Sequence, residues 1–264
     1  MRRYLRLIGC FMRASVQQEL AYRANFFISL LYSLLNLGSG ILGIVILFEQ
    51  VDSVQGWTLP STLAILGVFL TLSALNGLFI GPSFAAMAGM EGEIWTGRFD
   101  YVVLRPVNTQ FMASFRQWKP FASVDLLLGV GVLIAAAVLM GNTMTLERVA
   151  LFILMLLVGL VVLYSMLLAF AGLVFWSPGF LFGWVFDGLF QMARYPIGLY
   201  PSWLRLVLTW IVPVGVMTTL PAQAFTGELP AASLFGGIGL AVVFFVGASA
   251  LFRSGLRRYA SASS

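Results

Sequence analysis

Two aspartates, Asp125 and Asp187, stand inside stretches that are otherwise apolar. Two carboxylates that share a proton can carry out hydrolysis. An ionisable group within a membrane segment is a functional hypothesis by default. Neither aspartate sits in the glycine-rich turn that an intramembrane protease needs. Asp125 also lies a few residues after Lys119, where a helix N-terminus favours a carboxylate. The pair is therefore expected to line a pathway rather than to form a catalytic dyad. The chain has no histidine and one cysteine, Cys10. Imidazole bases, zinc sites and intrachain disulfides are excluded. The sole lysine, Lys119, stands between Trp118 and Pro120 and not in a glycine-rich phosphate loop. The chain does not hydrolyse ATP by that route.

The elements that must hold these residues are membrane helices. Of the 264 residues, 60% are hydrophobic and only 9% are charged. A soluble domain carries about 25% charged residues, so lipid must be the main solvent here. The net charge of +5 is distributed by topology, not for nucleic acid. Arg2, Arg3, Arg6, Arg13 and Arg23 precede the first apolar run. Arg98, Arg105, Arg116 and Lys119 share one internal loop. Arg253, Arg257 and Arg258 follow the last run. These places face one compartment if alternate helices cross, which is the positive-inside pattern. Both termini are expected to be cytoplasmic.

Leu5, Ile8, Met12, Val16 and Leu20 recur at helical spacing, with arginines on the other faces. Residues 1–23 read as an amphipathic helix lying in the headgroup region. The following run is too long for a cleaved signal and is expected to stay as the first span. Spans are expected at 24–48, 60–88, 120–140, 149–176, 179–195 and 231–252, each close to the ~20 residues that cross the hydrocarbon. Residues 196–230 are broken by Pro196, Pro201, Pro213 and Pro221. Proline removes a backbone donor and interrupts helices. Such a stretch is tolerated at membrane depth only where protein or a water-filled cavity surrounds it. It is expected to be a re-entrant segment on the outer side. In a rival assignment, 179–193 is interfacial and 203–220 is the fifth span.

Residues 90–119 are the main polar interruption. They mix both charge signs with Trp95, Phe99 and Tyr101. Such a loop reads either as an interfacial helix or as a docking helix for a cytosolic partner, with aromatic and arginine anchors. Here a resemblance becomes specific. Glu93, Ile94, Gly97, Phe99, Asp100, Leu104, Arg105 and Pro106 fall on a segment similar to that of type-2 ATP-binding-cassette (ABC) exporter permeases. The likeness is closest to a six-span bacterial branch of mostly unassigned substrate. Tyr195-Pro196, Tyr200-Pro201-Ser202-Trp203-Leu204-Arg205, Pro213, Leu220-Pro221 and Gly227 resemble the proline-rich stretch that precedes the last span in that family.

The resemblance implies an all-α integral membrane fold in a single permease domain. It has six transmembrane helices, an N-terminal interfacial helix, a coupling helix between spans two and three, and a re-entrant hairpin before span six. It implies a non-catalytic subunit of an exporter for a lipid-like, glycan or amphipathic substrate in the bacterial plasma (inner) membrane. The implied partners are two cytosolic ATPase subunits, a second permease (identical or related) and membrane lipids. ATP and magnesium would be bound by the ATPase, with no cofactor in this chain. Glu91, Glu93, Ile94, Trp95, Arg98, Phe99, Asp100 and Arg105 would couple to the ATPase. The helix is expected over 91–99, with Ile94 and Trp95 buried in the partner and Glu91, Glu93 and Arg98 setting orientation. Asp100, Arg105 and Pro106 would fix the loop to the span ends. Pro196, Pro201, Arg205, Pro213 and Pro221 would shape the outer gate.

Overall fold

The computed structural model describes residues 2–21, 23–141, 144–179 and 181–259. Met1, Tyr22 and Phe180, which belong to the expected segments 1–23 and 179–195, lie outside the described residues. So do Asn142 and Thr143 of the turn after 120–140. Among the described residues the fold is all-helical, apart from one isolated bridge between Val54 and Trp57.

Among the described residues, five helices are long and apolar enough to cross a bilayer. Their sequences contain no run of acceptable surface, so they must pack on each other or face lipid. They are α2 (Arg23–Phe48), α3 (Leu59–Ala85), α6 (Pro120–Met140), α7 (Leu146–Val174) and α11 (Ala231–Arg258). The interfacial α1 (Arg2–Ala21) precedes them. Two short helices, α4 (Asp100–Val103) and α5 (Thr109–Phe115), lie in the polar loop. After α7 come α8 (Phe182–Gln191), α9 (Ser202–Ile211) and α10 (Gly215–Thr226).

Local chemistry sets several of the ends. Ser61 Oγ accepts the Thr58 N–H at 2.8 Å at the start of α3, with Pro60 in the first turn. Thr145 Oγ1 caps α7 through the Arg148 N–H. Helices α6 and α10 stop at Gly141 and Gly227, both with positive φ, where a residue without Cβ is least strained.

Helix α3 is the centre of the bundle. About two thirds of its apolar window is buried, against 17% for α2 and 22% for α6 and α11. Small residues let its neighbours close in. A Cβ on Gly129 of α6 would meet the Thr71 backbone nitrogen at 2.8 Å, and one on Gly67 would meet the Leu133 side chain. Helices α7 and α11 also cross closely: a Cβ on Gly172 would meet the Phe252 backbone at 3.2 Å. Such small-residue seats allow van der Waals packing where lipid offers no hydrophobic drive.

The contacts sort the ends of the helices onto two faces. Tyr259, just past α11, donates to Asp100 Oδ1 at 2.8 Å. The Trp118 and Phe121 N–H groups donate to Ser15 Oγ at 3.1 Å and Glu19 Oε2 at 2.8 Å. Both ends of the described chain thus share one face with the 86–119 loop. The turn at 49–58 lies on the opposite face, beside the end of α6 at Leu139 and Met140.

The expected fifth helix over 179–195 is shorter in the structure. Regular α-helix covers only Phe182–Gln191, followed by 3-10 turns at Met192–Arg194 and Ile197–Leu199. Glycines at 183 and 188 and Pro196 weaken a continuous helix here. The stretch nonetheless runs from one face to the other. Gly179 packs on Trp95 of the polar loop, while Gly198 packs on Gln55 of the opposite turn. Helices α9 and α10 meet at a bend of 75° around Pro213. The hairpin leaves from the Gly198 end and returns to Gly227, which packs on Arg148. Its bend reaches Gly159 in the middle of α7.

Candidate functional site

Two regions concentrate the residues singled out from sequence. The first is the 86–119 loop. Residues 91–99 form successive turns, not the expected coupling helix. Gly89 and Gly97 have positive φ, and Gly92 lies against the Ala88 carbonyl, so the backbone curls back on the end of α3. The Gly89 N–H donates to the Pro178 carbonyl at 3.1 Å, pinning the curl to the segment after α7.

This curl divides the candidate coupling residues. Ile94 and Phe99 are buried in the protein's own core, so neither is free to enter a partner. The Phe99 ring meets Phe175 and Tyr259 edge-on, with centroids 5.5 and 5.6 Å apart. Glu93 forms an ion pair with Arg116, and both side chains are largely covered. Glu93 is thus an internal anchor and not a rim charge; removing one partner of such a pair leaves the other charge uncompensated. Arg98 donates to the Glu91 carbonyl at 2.7 Å and to Thr96 Oγ1 at 3.1 Å, closing the turn. Asp100 accepts from Tyr259, which ties the loop to the end of α11. Burial, then this bond and the Asp100 charge, push the Tyr259 hydroxyl pKa up, so it keeps its proton and remains a donor at physiological pH. Arg105 and Pro106, expected to do the same work, are exposed.

Exposed on the loop are Glu91, Arg98, Arg105 and several apolar side chains: Trp95 at 55%, Tyr101 at 72% and Leu104 at 79%, with Met90 and Val103. Met90, Tyr101 and Leu104 were not among the expected coupling residues. Tyr101 and Leu104 are three apart across α4, the spacing of helical neighbours, which is the signal that could have found them.

Helix α5 connects this loop to the spans. Gln110 Nε2 donates to Tyr164 Oη at 3.3 Å and to Ser249 Oγ at 3.2 Å. Ser114 Oγ lies 2.9 Å from the same tyrosine. One short helix is thereby hydrogen-bonded to both α7 and α11. No spacing in the sequence connects residues this far apart.

The second region is a polar furrow among α2, α3, α6 and α8. One cavity of about 200 Å³ is lined by Asp125, Asp187, Asn76, Asn36 and Gln191, among others. The two aspartates, 62 positions apart in the chain, are therefore brought to one cavity. Asp187 and Asn76 also line an adjoining cavity of about 240 Å³, together with Lys119. Asn76 opens a π-helical turn, Asn76–Ile80, within α3. Its Oδ1 is buried without a partner among the described residues. Such turns recur at functional sites because they redirect side chains out of register. Above the furrow, Arg194 donates to Asn36 and stacks on Phe69 at 5.2 Å.

The outer-gate candidates lie in the hairpin and its approach. Arg205 donates to the Gly198 and Tyr200 carbonyls at 2.8 and 3.3 Å and so ties α9 to the preceding turn. Pro196 and Pro201 flank that turn, Pro213 marks the bend, and Pro221 is buried in the first turn of Leu220–Thr226. Thr218 Oγ1 donates to the Ala193 carbonyl at 3.0 Å, holding the returning arm against the segment after α8.

The sequence model of the family described as ABC-2 family transporter protein matches residues 34–263. No curated protein and no solved structure matches the chain.

Proposed function

The chain belongs to the ABC-2 family of transporter proteins, and from that premise we propose that it is an exporter permease driven through its 86–119 loop. As a member of the family it is a multi-pass, membrane-embedded transport subunit that works with an ATP-binding cassette ATPase. The observation that carries the further reading is the division of the loop. Its anchors are used internally, while Trp95, Tyr101 and Leu104 are left outward. An apolar aromatic group rimmed by Glu91 and Arg105 has the composition of a docking site.

In this reading two ATPase subunits, which bind ATP and magnesium, dock on two permeases, identical or related. Closure of the ATPases pushes the loop. The push reaches α7 and α11 through Gln110, Ser114, Tyr164 and Ser249, and through the Phe99, Phe175 and Tyr259 rings. Asp125 and Asp187 line the route of a lipid-like, glycan or amphipathic substrate moved outward across a bacterial plasma membrane. The 179–195 stretch, with its 3-10 extension, is the fifth crossing. The hairpin of α9 and α10 is re-entrant from outside, and both termini are cytoplasmic. The shared face of α1, the loop and Tyr259 supports an even number of crossings.

Co-purification tests the assignment. A nucleotide-binding subunit should accompany the chain in mild detergent, and vesicles holding both should hydrolyse ATP faster when substrate is present. A chain that transports without any ATPase would sink it. Topology has its own test, in a background lacking Cys10. Thr96→Cys should resist an impermeant thiol reagent in intact cells, whereas Ser202→Cys and Glu228→Cys should react. Reaction of Ser202→Cys only after permeabilisation, with Glu228→Cys open from outside, would make 203–220 the fifth crossing.

A further inference from the structure

A pocket of about 380 Å³ opens where the interfacial helix α1 turns into α2. Its polar wall includes Glu19, Lys119, Gln18, Asn25 and Gln117. Its apolar wall includes Ile28, Trp118 and Phe121. It shares Lys119 and Pro82 with the 240 Å³ cavity that Asp187 also lines, and shares no lining residue with the cavity that holds both aspartates. Its depth in the membrane follows from α1. Leu5, Met12, Val16 and Leu20 of that helix are all exposed, an apolar stripe that only the headgroup and acyl boundary can cover. The pocket therefore opens at headgroup level, on the face shared by both ends of the described chain.

The pocket carries one anion and one cation that do not form a close ion pair. Glu19 Oε2 already accepts the Phe121 N–H, which fixes the carboxylate at the wall. Its second oxygen has acceptor capacity left. Lys119 is exposed and held in place by its own N–H, which donates to the Leu78 carbonyl at 2.9 Å. A free anion placed here would meet Lys119 but be repelled by Glu19. A free cation would meet the reverse. A ligand with both charges a few ångströms apart satisfies both, with the Gln18 and Gln117 amides as further donors to its oxygens. Aromatic walls at this depth suit the start of acyl chains.

We propose that this pocket binds the headgroup of one zwitterionic phospholipid bearing a primary ammonium, with its phosphate at Lys119 and its ammonium at Glu19. A primary ammonium donates hydrogen bonds to a carboxylate, whereas a quaternary one cannot. Burial raises the Glu19 pKa, against the Phe121 N–H and the Lys119 charge, and a bound ammonium would oppose that rise. A seated lipid would tie α1 to the start of α6. This inference rests on the membrane setting of α1 and not on what the protein transports.

The test is native mass spectrometry of the delipidated full-length protein, with any ATPase that accompanies it, titrated with phosphatidylethanolamine, phosphatidylglycerol and phosphatidylcholine. One phosphatidylethanolamine should be retained per chain, about tenfold more tightly than either of the others, the scale of one charge-assisted hydrogen bond. Glu19→Gln keeps an oxygen for the Phe121 N–H and should erase that preference at unchanged elution volume and melting temperature. Lys119→Gln should do the same. Equal retention of phosphatidylglycerol by the unaltered protein would overturn the proposal. So would unchanged preference in both single variants. Glycerophosphoethanolamine should fail to displace the lipid; displacement at equal concentration would mean a site for a soluble zwitterion and would also overturn it.

Discussion

Replacing Trp95, Tyr101 and Leu104 together by alanine should release the ATPase while leaving the permease folded. The three side chains are the outward apolar group of the loop, and none belongs to the buried core. Each is worth roughly 1.5–3 kcal/mol if fully covered by a partner. Truncations within one docking site do not add simply, yet even a partial sum weakens association by at least about 100-fold. The control is the charge reversal Glu93→Arg. It would set two guanidinium groups against each other where an ion pair now holds the curl to Arg116. Loss of a covered pair costs about 3–5 kcal/mol, so this variant should fail at the level of folding and yield. The two outcomes separate docking from structure. They are read as expressed protein, co-purified ATPase and substrate-stimulated hydrolysis. Full retention of the ATPase by a well-expressed triple variant would mean that the outward group only touches lipid.

The shared face of α1, the loop and the chain's end is legible in the distribution of the arginines. Clusters of charge report topology directly, since they are costly to place in hydrocarbon. The stripe of Leu5, Met12, Val16 and Leu20 is legible for a similar reason: helical periodicity survives whatever the helix packs on. The long spans at α2, α3, α6, α7 and α11 follow from length and hydropathy alone.

The loop is harder to read. Its mixture of charges and aromatics over 91–99 looks like an amphipathic helix. Gly89, Gly92 and Gly97 instead let the chain curl, and this glycine spacing is the turn signal. Ile94 and Phe99 then fall inward, because a curl presents residues by turn geometry and not by a period of 3.6. The aspartate cavity is legible only in part. Asp125 and Asp187 stand out as charges in apolar segments, but their meeting depends on how α6 and α8 pack around α3. The π-turn at Asn76 and the link from Gln110 to Tyr164 and Ser249 have no local signal at all. Polar residues in membrane helices are partnered through tertiary contacts, and a single sequence does not disclose which partner each one finds.

The second large effect is expected at Gly159, away from the loop. This residue lies midway along α7, where the bend of the α9–α10 hairpin comes closest. A Cβ here would stand 2.6 Å from the Met217 carbonyl oxygen and 3.2 Å from its Cα. Both are backbone atoms, so no rotamer change relieves the clash, and the hairpin or the helix must shift. Overpacking of this kind costs about 1–3 kcal/mol in cores that can relax, and a backbone obstacle puts Gly159→Leu at or above the upper end. The displacement would break the Thr218 bond to the Ala193 carbonyl and move the returning arm away from α7. If the hairpin closes the outer mouth, transport should fall by about tenfold or more, because one shifted element separates ATP use from substrate movement. ATPase co-purification should persist, since the loop lies at the other face. Gly159→Ala should give a smaller loss in the same direction. The control is Gly131→Leu in α6, where a Cβ meets nothing within 4 Å. Transport measured in vesicles for Gly159→Leu and Gly131→Leu decides the point: equal losses would trace the defect to added bulk in a span, and a loss confined to Gly159→Leu would trace it to the hairpin contact.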